Sequence, residues 1–282
     1  MNFKKLGVWV TFVFFALLLP AALFADTNCD DGSGTLNSAA PRGISPEEII
    51  QKFAAKEAIF KDARNNYTYT QDITVQTLDG NSVDGEYRQV WDITYDDKGR
   101  RLENVTFAPQ DSLTRIQMTK EDFDDFRNRL PFVLTTEEIP LYSVLYAGQQ
   151  HVDEIDTYVF DLAPKQMEKG KRYFQGRIWV DNHDFQIVKT CGRNVPDVHG
   201  KKAERENLTP KFVTYREQID CQYWFPTYTR ADDVLPFSNN PVHVREIIKY
   251  TRYKRFGSKT KITYEGVPRS DDKAPPTPPK KP

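Results

Sequence analysis

The chain carries little with which to do covalent chemistry. Among 282 residues there are four histidines, three cysteines and three methionines. His151, His183, His199 and His243 stand apart, with no ligand-like spacing between any two. There is no nucleophile elbow, no phosphate-binding glycine loop, no dinucleotide fingerprint and no paired Cys-x-x-Cys. Asp181, His183 and Asp184 form the one close oxygen–nitrogen cluster, and they sit in a predicted hairpin turn, where Asp and Asn are favoured for backbone reasons. These absences point away from an enzyme, and neither a cofactor nor a metal is expected. Excess positive charge is missing too. Lys and Arg total 39 against 40 Asp and Glu, so nothing steers the chain to nucleic acid.

One long apolar run exists, and it lies at the start. Lys4 and Lys5 form a basic n-region, Leu6 to Leu19 has the length of a signal-peptide core, and Ala25 closes a small-residue cleavage site. An anchor that stays in the membrane needs about 20 apolar residues, and Pro20 ends this run. Residues 1–25 are therefore read as a signal peptide, which places the mature protein in the cell envelope or outside the cell. Residues 26–44 hold many turn formers and few apolar side chains, the composition of a flexible linker. The end of the chain carries six prolines between Pro268 and Pro282 and reads as a disordered tail over 268–282. The folded domain is expected over 45–267.

Aromatic residues make up 13% of the chain, and their spacing sets the fold class. Ser45-Pro46-Glu47-Glu48 is a helix start with a capping serine, and Ile49, Ile50, Phe53, Ala54 and Phe60 continue it as a helical stripe. The period then changes to two. Tyr67, Tyr69, Ile73 and Val75 share one strand face, Asp79-Gly80 is a hairpin signal, and Tyr87, Trp91, Ile93 and Tyr95 share a face of the return strand. Residues 119–131 read as a short helix capped by Thr119. The apolar, proline-interrupted stretch 130–146 reads as a short helix or a loop over one mouth of the sheet. Strands resume after Asp156, for about nine or ten in all. In "YWFPTYTRADD", residues 223–233, Pro226 cannot donate to a ladder, which predicts an edge, a bulge or no strand.

"GRIWVDNHDFQIVKT" (176–190) and "FVTYREQIDCQYWFPTYTRADDVL" (212–235) resemble bacterial secreted proteins related to the lipoprotein-sorting carriers, the LolA/LolB-like fold. The shared pattern is a strand ending in Trp-Val-Asp, a turn, a strand with Ile-Val, then a hairpin returning through Trp-Phe-Pro. The likeness covers about 171–256 and is architectural before that. It implies a mainly β (α+β) domain: a single strongly curved antiparallel sheet, an open half-barrel, with two or three helices on the concave side. In the carriers that concavity receives acyl chains. The resemblance thus implies a non-catalytic envelope binding protein, a monomer holding a lipid or an acylated protein.

On that reading Ile73, Val75, Trp91, Ile93, Ile178 and Val180 line the cavity. The alternative is an envelope interaction or sensing module of the same fold with a filled core and an envelope protein as partner. Any disulfide is expected to join Cys191 to Cys221, since both lie in the β region. A simple meander works against it, and only a shifted pairing through 193–210 closes the gap.

Overall fold

The computed structural model describes residues 28–96, 98–129, 133–197, 208–237 and 240–256. The expected signal peptide and proline-rich tail lie outside the described residues. Helix α1 spans Pro46–Arg64. Ser45 caps it as the sequence predicts, its Oγ accepting a hydrogen bond from the Glu48 N–H at 3.1 Å. Strands β1 (Tyr67–Asp79), β2 (Ser82–Tyr95) and β3 (Arg101–Phe107) follow as a meander. Helix α2 spans Lys120–Arg129. Thr119 Oγ1 accepts from the Asp122 N–H, and the Asp122 carboxylate accepts from the Thr119 N–H at 2.7 Å, so both donors at that end are satisfied. After a 3-10 turn at Ile139–Leu141 come β4 (Tyr142–Val152), β5 (Ile155–Pro164), β6 (Tyr173–Asp181) and β7 (Ile187–Val195). Strands β8 (Phe212–Ile219), β9 (Tyr223–Leu235) and β10 (Val242–Arg255) complete the described elements.

All ten strands form one antiparallel sheet in the order β3-β2-β1-β10-β9-β8-β7-β6-β5-β4. The first strand pairs with the last, which joins the N-terminal meander to the rest. Strands β3 and β4 are the two ends, so the sheet is not closed. The stretch read as a helix or loop before Asp156 divides in two: a turn over its first part, and strand β4 from Tyr142 onward.

Both helices press on one face. Ile49, Phe53 and Ala54 of α1 join Phe160, Ile178, Val180 and Phe212, and the Phe60 ring meets Phe225 at 5.0 Å. Phe126 of α2 joins Tyr69, Ile73, Val75, Trp91, Ile93 and Ile248. Burying each such side chain is worth about 1.5–3 kcal/mol. A buried ion pair, Glu57 to Arg216 at 3.0 Å, fixes the register of α1 on β8. Burial pushes the Glu57 pKa up.

The opposite face of β4 to β8 is also apolar, with Val159, Trp179, Val188 and Val213 buried. Residues 28–38 cover it. The expectation of a free linker is corrected here, for 28–38 is a strap. Asn37 exchanges two 2.8 Å backbone hydrogen bonds with Gln149, and Leu36 packs on the cluster. Gly148 makes room for it, since a Cβ there would collide with the Asn37 carbonyl. Lys189, fully buried, donates to the Asp31 carbonyl and to Ser33 Oγ, each at 2.9 Å.

The disulfide is corrected as well. It joins Cys29 to Cys191 and ties the strap to β7, leaving Cys221 free and exposed. Cys191 sits opposite Val213 in the ladder, while Cys221 lies in the turn beyond Ile219, roughly 25 Å further along the strand at 3.3 Å per residue. No shift of register brings them together.

Candidate functional site

Pro226 lies at a bulge, in a strand with neighbours on both sides. The β8–β9 register slips between Tyr215 and Arg216, opposite Pro226, and pairing with β10 stops at Tyr228. The missing N–H therefore has no ladder partner to lose on the β10 side, and the Pro226 carbonyl accepts from the Tyr253 hydroxyl at 2.6 Å. The surrounding rings are structural. Phe225 packs under α1, and Trp224 turns to the strap side, where its Nε1 donates to Asp184 at 3.0 Å.

The six residues expected to line a cavity are all buried. Ile73, Val75, Trp91 and Ile93 lie beneath α2, and Ile178 and Val180 lie beneath α1. They fall into two separate clusters, and none of them borders the main candidate cavity among the described residues.

That cavity, about 780 Å³, opens between α2, the segment 133–142 and strands β6 to β8. Its size falls within the range of small-molecule sites, roughly 300–1,000 Å³. Four aromatic rings, Tyr142, Tyr173, Phe174 and Phe212, line it, with Val133 and Leu141 beside them. Strand alternation explains Phe174 and Phe212, while Tyr173 sits at the very start of β6. Phe174 and Phe212 point to the helix face, where their centroids lie 6.0 Å apart, and Tyr142 meets Tyr173 edge-on at 6.4 Å. Burial raises the Tyr142 pKa, so its hydroxyl stays neutral at physiological pH. Leu141 remains nearly half exposed at 47%, an apolar group left in water at the cavity's edge.

Charged side chains complete the lining, Glu138 of the 133–142 segment among them. Glu121, Asp124 and Asp125 come from α2, and Lys171 and Arg172 from the turn before β6. Arg172 pairs with Asp125 at 3.1 Å, and Thr209 donates to the same carboxylate at 3.3 Å. Lys171 pairs with Glu168 at 2.8 Å, which accepts from the Tyr173 hydroxyl at 3.1 Å. The result is an apolar, aromatic recess with a charged lip. No group of three or more His, Cys, Asp or Glu residues is placed to hold a metal among the described residues.

Periodicity locates core positions, and the cavity is formed where periodicity stops. Its walls come from α2, from strand ends and from 133–142, the stretch whose prolines marked it as a short helix or a loop over the sheet. Leu141 beside Pro140 was the one available signal: an apolar residue in a segment too irregular to bury it.

No protein-family profile matches the sequence, and no curated protein does. Some solved structures are similar to this chain. One is a DUF1329 family protein from Desulfovibrio piger, 15% identical, with 73% of this chain and 92% of that chain covered at a TM-score of 0.37. Another is a LolA superfamily protein from Nitrosomonas europaea, 14% identical, covering 74% of this chain and 96% of that one at 0.34.

Proposed function

We propose that this protein is a non-catalytic envelope binding protein that holds the acyl chain of a lipid or acylated protein in the cavity between α2 and strands β6 to β8. The observation that carries the reading is the form of that cavity: aromatic and aliphatic walls, a charged lip, and an exposed leucine at its edge. An acyl chain gains about 0.8 kcal/mol for each CH₂ it buries, so a few methylenes in this recess give measurable affinity. The Cys29–Cys191 bridge supports an oxidising compartment, in keeping with export. No helix among the described residues is long and apolar enough to cross a membrane. A curved sheet with its helices on the concave side is part of the same proposal, with the cavity at one end of the helix-covered face.

The test is displacement of a fluorescent fatty-acid probe from the full-length protein. Wild type is expected to bind saturably. Leu141→Asp, a change at an already exposed position, is expected to weaken binding about tenfold while circular dichroism stays unchanged. Absence of saturable binding by folded wild type refutes the reading.

A second reading is favoured by the end strand β3. Leu102, Val105 and Phe107 are each about half exposed along it, and its outer edge has no neighbouring strand in the sheet. An envelope protein docking there would leave the cavity unused. Val105→Lys would then abolish partner binding, and no fatty-acid probe would bind.

A further inference from the structure

The strap 28–38 is a layer laid over the sheet. None of its residues is buried, while Val159, Trp179, Lys189 and Val213 beneath it are. Helices α1 and α2 pack on the other face, so the main clusters of the domain do not depend on the strap. Its covalent tie is the Cys29–Cys191 bridge. Cys191 is 1% exposed and Cys29 is half-buried, so Cys29 Sγ is the sulfur that an incoming thiolate can reach.

What the strap covers is a set of groups that hold main chain. Strand β4 ends the sheet, and the strap pairs with its outer edge. Besides the Asn37–Gln149 exchange, the Gly34 N–H donates to the His151 carbonyl at 2.7 Å, and the Asp153 N–H donates to the Gly32 carbonyl at 3.2 Å. From beneath, Lys189 Nζ reaches the Asp31 carbonyl and Gln150 Nε2 reaches the Gly34 carbonyl at 2.7 Å. Backbone contacts of this kind are open to any extended chain. Side chains supply the selectivity. Arg230 pairs with the Asp31 carboxylate, Gln150 Nε2 donates to Asp30 at 3.3 Å, and Leu36 packs on the apolar cluster. Lys189 lies over the rings of Trp179 and Tyr215, at 4.7 and 5.3 Å, and forms no ion pair among the described residues. Lifting the strap would therefore leave an open strand edge, an apolar patch and two cations, Lys189 and Arg230, that have lost their acceptors.

We propose that this face is a binding site for an extended acidic peptide, that the strap is its built-in occupant, and that the Cys29–Cys191 bridge is the latch. Opening is thiol–disulfide exchange with a dithiol. One thiolate of the dithiol attacks Cys29 Sγ, the S–S bond breaks, and Cys191 leaves as a thiolate that takes up a proton. The second thiol of the dithiol then displaces Cys29. Two electrons pass to the protein, which ends with two thiols, and the dithiol ends as a disulfide. The strap, still joined to the chain, competes at high effective concentration, so reduction makes the site exchangeable. An incoming peptide pairs with the β4 edge, offers a carbonyl to Lys189 and a carboxylate to Arg230, and places an apolar side chain where Leu36 lay. The site lies on the opposite face from the acyl-chain cavity and does not rest on that reading.

The probe is a fluorescein-labelled peptide of residues 28–38 carrying Cys29→Ser, and the readout is its anisotropy with the full-length protein. Protein reduced with dithiothreitol is expected to bind the peptide at least tenfold more tightly than oxidised protein. The Cys29→Ser protein should bind it without reductant. Arg230→Gln in the protein, or Asp30→Asn with Asp31→Asn in the peptide, should each weaken binding threefold or more. Equal binding in both redox states overturns the latch, and equal binding of the two peptides overturns the acidic selectivity. The double variant Cys29→Ser and Leu36→Asp weakens the strap's own hold. If that variant stays folded by circular dichroism and binds no peptide, the site is overturned. Light scattering of reduced protein separates two sources of the peptide. A dimer that the free peptide dissociates identifies the occupant as the strap of a second copy, and a monomer that binds the peptide assigns the site to a segment of another protein. A reduced dimer that the peptide leaves intact overturns the proposal.

Discussion

Removing the Cys29–Cys191 bridge by the double substitution Cys29→Ser and Cys191→Ser tests how the strap is held. The bridge spans 162 residues of sequence. Loop-closure entropy for a ring of that size gives about 5 kcal/mol, and native bridges commonly return about 2–4. Other contacts hold the strap less firmly. Hydrogen bonds from Lys189 and Gln150 reach Asp31, Ser33 and Gly34, and each contributes a net 0.5–1.5 kcal/mol or so. Fixing the backbone of each strap residue costs about 1–2 kcal/mol. Without the covalent tie, the cost of ordering exceeds what those bonds return. Urea unfolding should show a loss of about 2–5 kcal/mol, and proteinase K, which needs no basic residue, should cut within 28–38 in the folded variant. The single remaining thiol, Cys221, should label at the same rate in both proteins. A stability within about 0.5 kcal/mol of wild type, with the strap still protected, refutes the reasoning.

Three further outcomes are expected. Glu57→Gln or Arg216→Met should each cost about 3–5 kcal/mol in urea unfolding, because each strands a buried charge or polar partner. Replacing both by apolar residues should recover much of that loss. Burial, then Asp220, pushes the Tyr67 pKa from 10.0 up to about 12; the folded chain keeps a proton there that the unfolded chain has lost, so stability falls as pH rises from 10 to 12, and Tyr67→Phe should flatten that part of the curve. Ser45→Ala should cost about 1 kcal/mol by loss of the α1 cap.

Local chemistry made much of the fold legible. The Ser45 and Thr119 caps, the Asp79-Gly80 hairpin and the two-residue period of β1 and β2 each follow from residues a few positions apart. The strap did not show itself, because its composition is that of a linker. What orders it is remote: a cysteine 162 residues away, a buried lysine on β7 and a glycine on β4 that lets the chain approach. The candidate site was hidden for a related reason. Ile73, Val75, Trp91, Ile93, Ile178 and Val180 carry the strongest periodic signal, and periodic apolar residues are those that helices cover. A cavity persists where the pattern fails, at Leu141 and the ends of β6 and β7.

Photocrosslinking tests the central claim most directly. A dodecanoic acid bearing a terminal diazirine, bound to the full-length protein and irradiated, should mark peptides containing Leu141, Tyr142, Tyr173 and Phe174, with excess dodecanoate suppressing the label. Saturable labelling centred instead on Ile73, Trp91 and Ile93, or no labelling that dodecanoate suppresses, would contradict the account.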